Sequence, residues 1–190
     1  MNRWPLQLKK VLLLGALGSL TACTSTRPLS PAQAATLAPL APRRVLVLAE
    51  LGNRTSRQAI EDELVRQLGV AGVEAVPGYR VAPDSIELSG SRLGQALAGS
   101  KTDSALVCHW LSVEQRLHRR AVLPTGLRSD SRVDQIAYAQ TRLLDGRTQQ
   151  TLWSTRTRTE QPGGFRDSAP SFAKAVVEAL LDDGALASLP

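Results

Sequence analysis

Histidine, cysteine and aromatic side chains are scarce in this chain. Its 190 residues hold two His, two Cys, three Trp, two Tyr and two Phe. His109 and His118 stand nine positions apart, which excludes the clustered ligand spacing of a metal centre. No Gly-x-Ser-x-Gly, phosphate loop or dinucleotide fingerprint occurs, so no cofactor is expected. Gly90, Gly94 and Gly99 have the wrong spacing and follow no clear strand. Two cysteines cannot build a disulfide framework. Lysine is rare too: beyond residue 23 only Lys101 and Lys174 occur.

What is present is concentrated at the start. Arg3, Lys9 and Lys10 precede an apolar run from Val11 to Leu20, and Leu20-Thr21-Ala22-Cys23 follows. A basic start, a short apolar core and small residues form a secretory leader. The run is about half the length a membrane-spanning helix needs. Leu20-Thr21-Ala22-Cys23 resembles the bacterial lipobox, Leu-x-[Ala/Gly]-Cys. The resemblance implies cleavage before Cys23, a diacylglycerol on its thiol and an acyl group on its new amine. One chain binds a bilayer marginally, whereas several hold stably. Thr24 stands where retained inner-membrane lipoproteins carry Asp, so the resemblance implies the periplasmic face of the outer membrane. The alternative is an ordinary leader whose cut happens to precede a cysteine.

Residues 1–22 are therefore a leader, 23–42 a lipidated Cys with a Pro/Ala-rich linker, and 43–186 one globular domain. The formal charge of +6 falls to +3 once Arg3, Lys9 and Lys10 are removed. Arginine suits bidentate contacts to carboxylate or phosphate, although a GC-rich genome is the simpler reason for its abundance. Cys108, flanked by Ala105-Leu106-Val107 and Trp110-Leu111, reads as a buried small hydrophobe. His109 is its neighbour, but successive strand side chains face opposite ways, so the pair is not a nucleophile and its base.

Along the linker, Pro28, Pro31, Pro39 and Pro42 favour an extended chain. Nineteen such residues reach roughly 60 Å, unless part of them packs on the domain. Residues 43–51 form an aliphatic strand covered on both faces. Thr55 with Gln58 resembles a capping box. Ile60, Leu64 and Leu68 make a helical stripe, with Glu61, Asp62 and Glu63 near the helix start. Gly69 or Gly72 ends that helix. Val73–Val76 is a short strand, 79–91 a loop and Arg92–Ala98 a weak helix. Ser104–Leu117 is a long strand running out of the core. Residues 117–132 read as a loop. Val133–Leu144 and Thr148–Thr159 are strands joined at Asp145-Gly146, a hairpin signal. Ser168 caps a last helix with Pro170 in its first turn; Phe172, Val176, Val177, Leu180 and Leu181 form its apolar face, and Gly184 its end. The order β-α-β-α-β-β-β-α predicts an α/β (α+β) fold, a mixed sheet with helices packed on it.

Several of these pieces together are familiar: Val45-Leu46-Val47-Leu48, Ile60-Glu61-Asp62-Glu63-Leu64, Gly72-Val73-Glu74-Ala75-Val76-Pro77, Asp103-Ser104-Ala105-Leu106-Val107, Thr141-Arg142-Leu143-Leu144-Asp145-Gly146 and Leu152-Trp153-Ser154. They resemble small Gram-negative lipoproteins of largely unassigned function. Their domain is similar to the N-terminal domain of TolB and to lipoprotein activators of penicillin-binding proteins, with curli-secretion and exopolysaccharide lipoproteins as related folds. The resemblance implies a fold and no catalytic residues.

Arg116, His118, Arg119, Arg120, Arg128 and Arg132 form the best candidate patch, fit for an acidic protein, lipopolysaccharide phosphates or an anionic glycan. The plain alternative is a solvated loop. Arg156 and Arg158 share a face opposite Trp153, Thr155 and Thr157, and are expected to shield an exposed sheet edge. The expectation is a non-enzymatic, lipid-anchored binding or scaffolding module, bound to the bilayer through Cys23 and to an envelope protein or anionic glycan. Export excludes nucleic acid. The alternatives are a ring-forming subunit of a secretion or exopolysaccharide-export complex and, less well supported, an envelope hydrolase.

Overall fold

The computed structural model describes residues 24–29, 33–34, 42, 44–84, 87–118, 132–161 and 165–186. Seven strands form one mixed sheet: β1 (Ser25–Pro28), β2 (Gln33–Ala34), β3 (Arg44–Glu50), β4 (Glu74–Pro77), β5 (Ser104–His118), β6 (Arg132–Asp145) and β7 (Thr151–Gln161). The helices are α1 (Arg54–Val70), α2 (Gly90–Ser100) and α3 (Phe165–Asp182). The sheet order is β1-β7-β6-β5-β3-β4, with β2 also on β7. Strand β3 runs parallel to β4 and β5; every other pairing is antiparallel. The mixed α+β class expected from the pattern is the observed one.

The sheet is covered on both faces where β3 and β5 cross it, which explains their unbroken apolar runs. Val45, Val47, Leu106, Cys108, Leu143 and Trp153 pack with α1 and α3. Leu46, Leu48, Ala105, Val107 and Leu144 pack with α2 on the other side. The stripe of α1, Ile60, Leu64 and Leu68, is fully buried. Trp153 is sealed in the larger core, and its Nε1 donates to Asp183 Oδ2 at 2.9 Å. Trp110 meets Phe172 of α3 at a tilt and Phe165 edge-on, with ring centroids 5.2 and 5.6 Å apart.

The structure corrects several local expectations. Residues 24–42 are not simply an extended tether: β1 and β2 come from this stretch and pair with β7. Thr26 Oγ1 lies 2.9 Å from Thr159 Oγ1 and 3.2 Å from Ser171 Oγ, so its polar side chain is satisfied. Asn53, not Thr55, caps α1; its Oδ1 accepts from Ser56 N at 2.9 Å, one of the orphan amides of a first turn. Glu61, Asp62 and Glu63 consequently lie beyond the first turn. The helix α3 starts at Phe165, so Ser168 and Pro170 sit inside it. Gly184, with φ 66°, ends it as expected. Strand β5 carries a bulge between Trp110 and Ser112.

The β6–β7 hairpin forms, but not as a two-residue Asp-Gly turn. Five residues separate the strands, and the left-handed position is Gln149, with φ 58°. Asp145 Oδ1 accepts from Thr148 N at 2.6 Å, Thr148 Oγ1 at 2.8 Å and Arg147 N at 3.0 Å. These donors, Thr148's amide first, hold its carboxyl below the usual range. Gly146 is required for a different reason: a Cβ there would stand 2.4 Å from Asp103 O.

One buried group went unread in the sequence. Strand β4 ends opposite Val47, so the next amide on that edge of β3, Ala49, has no strand partner there. Glu61 Oε1 supplies one, accepting from Ala49 N at 3.0 Å, and Oε2 accepts from Tyr79 N at 2.7 Å. Arg57 Nε donates to Glu61 Oε1 at 2.8 Å, and Arg57 Nη2 donates to Ala82 O at 3.2 Å. Both side chains are closed to solvent. Burial pushes the Glu61 carboxyl up and outweighs the three donors that pull it down. Glu61→Leu is expected to cost about 3–5 kcal/mol in urea denaturation, because it leaves the buried Arg57 charge without its carboxylate. Arg57→Met with Glu61→Leu should recover part of that loss. A loss below about 1 kcal/mol for Glu61→Leu would refute this account.

Candidate binding surface

Past Glu50, the last β3 residue paired with β5, β5 keeps only β6 as a neighbour, and the ends of the two strands, 116–118 and 132–134, reach past β7 as a short two-stranded arm. Residues 111–116 of β5 are exposed throughout, as expected for a strand leaving the core. The sequence patch divides on this arm. Arg116 is exposed and opposite Asp134 in register. His118 and Arg132 belong to the strands, not to a loop, and are register partners across the ladder. Arg119, Arg120 and Arg128 lie outside the described residues, as does Cys23. Pairing thus brings two of the six positions into direct opposition and shortens the expected loop from both ends.

A second basic surface forms on the sheet face opposite α1 and α3. Arg27, Arg158, Tyr138 and Ser112 occupy one cross-strand row, and Arg156, Gln140, His109 and Glu50 occupy another. Arg158 Nη1 donates to Glu160 Oε1 at 2.5 Å. That bond holds the Glu160 carboxyl below its ordinary range, with smaller contributions from Arg27 and Arg116. The predicted face of Arg156 and Arg158 is the observed one. Their expected role is not: β7 is no open edge, because β1 and β2 pair along it. Arg27 escaped sequence reasoning because it sits in the Pro-rich stretch. Its signal was weak, since four residues with a terminal proline carry little strand pattern.

Cys108 is fully buried and accepts a contact from Thr141 Oγ1 at 3.6 Å. Burial pushes its thiol up to about 12. The adjacent His109 lies on the other face, half-exposed, with Nδ1 2.6 Å from Glu50 Oε2. Among the described residues, no three His, Cys, Asp or Glu side chains converge on a metal-sized site. Among them too, no helix is long and apolar enough to cross a membrane.

No protein-family model matches the chain, and no curated protein matches it in sequence. Solved structures do match in shape. A PelC dodecamer from Paraburkholderia phytofirmans shares 15% identity at a TM-score of 0.46, covering 83% of this chain and 97% of that one. Lipoprotein GNA1162 from Neisseria meningitidis shares 18% identity at 0.45, covering 74% and 99%. A minor lipoprotein from Acinetobacter baumannii shares 13% at 0.33, covering 73% and 95%. The neighbours thus include bacterial lipoproteins, at a similarity too low to transfer any activity. The resemblance to TolB remains an expectation of the sequence.

The Cys108 environment has a direct readout. A thiol moved from 9.0 to about 12 holds about a thousandfold less thiolate at neutral pH. Labelling by a water-soluble disulfide reagent should therefore be slow in the folded protein and fast in urea. Equal rates in both would show that the thiol is open.

Proposed function

We propose that this chain is a lipid-anchored envelope protein that binds or scaffolds and does not catalyse, held at the periplasmic face of the outer membrane by acylated Cys23. The observation that carries the reading is Leu20-Thr21-Ala22-Cys23 behind a basic and apolar leader. The fold supports it from the other side. Thr24 Oγ1 donates to Asp167 O at 3.5 Å, and Ser25 already pairs with Glu160. Only Thr24 separates the anchor from the sheet, and two residues span at most about 7 Å. The β1–β7 edge then rests against the bilayer instead of hanging on a long tether. Arg27 and Arg158 share a row at that edge, suited to anionic headgroups. The arm bearing Arg116, His118 and Arg132 projects as the partner-binding element, for an acidic envelope protein or anionic glycan. Anchoring raises the local concentration of that surface near its partner. A hydrolase reading gains nothing from Cys108, whose thiol is sealed.

A ring-forming subunit of a secretion or exopolysaccharide-export complex is the second reading. Leu29 and Leu111, 46% and 45% exposed and lining one groove, favour it as an association surface. Cys23→Ser is expected to abolish acyl labelling and move the protein out of the membrane fraction. Retention with membranes would overturn the anchor. Native mass measurement of the detergent-extracted protein tests the ring: several copies support it, and one copy alone rejects it.

A further inference from the structure

A small cleft opens where the start of α2 meets β5, β6 and β7. Its volume is about 180 Å3, below that of a pocket for a drug-sized ligand and fit for one sugar-sized group. Leu93, Val107 and Leu144 line it with apolar surface. Three charged side chains line it: Arg142, Glu50 and Glu87. Arg142 contributes a guanidinium whose Nε is closed to solvent and has no hydrogen-bond partner. Glu50 contributes a carboxylate whose side chain is only 9% exposed; Oε2 is engaged by His109. Glu87, Gln149 and Thr151 complete the polar rim, and Gln149 is fixed by donating from Nε2 to Gly90 O at 2.9 Å.

Arg142 lines the cleft with a permanently charged guanidinium, which suits an anionic group on a ligand. A bare anion is a poor match. Glu50 and Glu87 would repel it, and carboxylates can only accept hydrogen bonds. The lining asks for a ligand that carries an anionic group for Arg142 and hydroxyl donors for the two glutamates. We infer that this cleft binds a carboxylated sugar, a uronic-acid residue, with its carboxylate on Arg142 and its hydroxyls on Glu50 and Glu87. An apolar floor under one polar rim suits a sugar ring, which presents C–H groups on its face and hydroxyls at its edge. The site is distinct from the basic arm. It deepens the binding-module reading by naming a ligand class, but it rests on the cleft and not on the anchor.

The test is a titration of the full mature chain in detergent with D-glucuronate, followed through backbone amide shifts. Acetate and D-glucose serve as parallel probes. Glucuronate should give saturable shifts at Gly90, Gln149 and Thr151, with acetate and glucose at least about tenfold weaker, because each supplies only half of the required chemistry. Arg142→Gln should weaken glucuronate by about tenfold or more, whereas Arg156→Gln should leave it unchanged. If Arg142→Gln does not fold, Thr151→Phe fills the cleft from β7 and should give the same loss. The inference is overturned if glucuronate gives no saturable shift at these amides. It is equally overturned if acetate or glucose binds as tightly, or if the cleft variant binds as the parent does. None of these results alters the membrane fractionation of Cys23→Ser, so the two readings fail separately.

Discussion

A carboxylate shut inside a protein has to be saturated with donors, and Glu61 meets that demand by joining four parts of the chain. It takes the Ala49 amide at the end of β3, the Tyr79 amide in the turn after β4 and the Arg57 guanidinium on its own helix. Arg57 in turn reaches the carbonyls of Ala82 and Pro83. The crossover from β3 through α1 to β4, and the segment leading to α2, are therefore fixed by one ion pair. Hydrophobic packing alone would hold α1 on the sheet, but it is non-directional. The pair supplies direction, tying α1 to the end of β3 and to the turn after β4.

The placement of α2 has consequences for the surface. It covers β3 and the inner half of β5 and leaves β6 and β7 with a polar outer face. The cleft lies at the boundary between covered and uncovered sheet, and Arg142 and Glu50 both line it. On the opposite face, α3 lies over β7 and meets β1, whose Thr26 reaches Ser171. The α1 and α3 side of the sheet is thus committed to the larger core, and the other side is apolar under α2 and charged beyond it. The first folded strand follows directly after the proposed anchor.

Much of the scaffold could be read from local pattern. The aliphatic run of β3, the four-residue recurrence of Ile60, Leu64 and Leu68, and the apolar face around Phe172 and Val176 each announce their element. Cys108 was legible as buried because its neighbours are apolar on both sides. Less was legible where partners lie far apart in sequence. Ser25–Pro28 becomes a strand only because β7 offers an unpaired edge more than 120 residues later. Asp145-Gly146 signals a turn, yet Gly146 is fixed by the approach of Asp103, not by a left-handed backbone. Arg57 and Glu61 sit in phase with the buried stripe of α1, so the spacing was available. Two opposite charges four apart on a helix more often describe an exposed pair.

What the sequence by itself determined is the mixed α+β class and the order of helices and strands from residue 44 onward. These follow from composition and periodicity, which act over a few residues at a time. The tertiary structure alone decided that residues 25–28 join the sheet, that Glu61 is a core residue, and that Arg142 and Glu50 share a cleft. Each of these depends on strand order and on which helix covers which face. Such facts arise when distant segments bury surface against one another, and no local pattern encodes them.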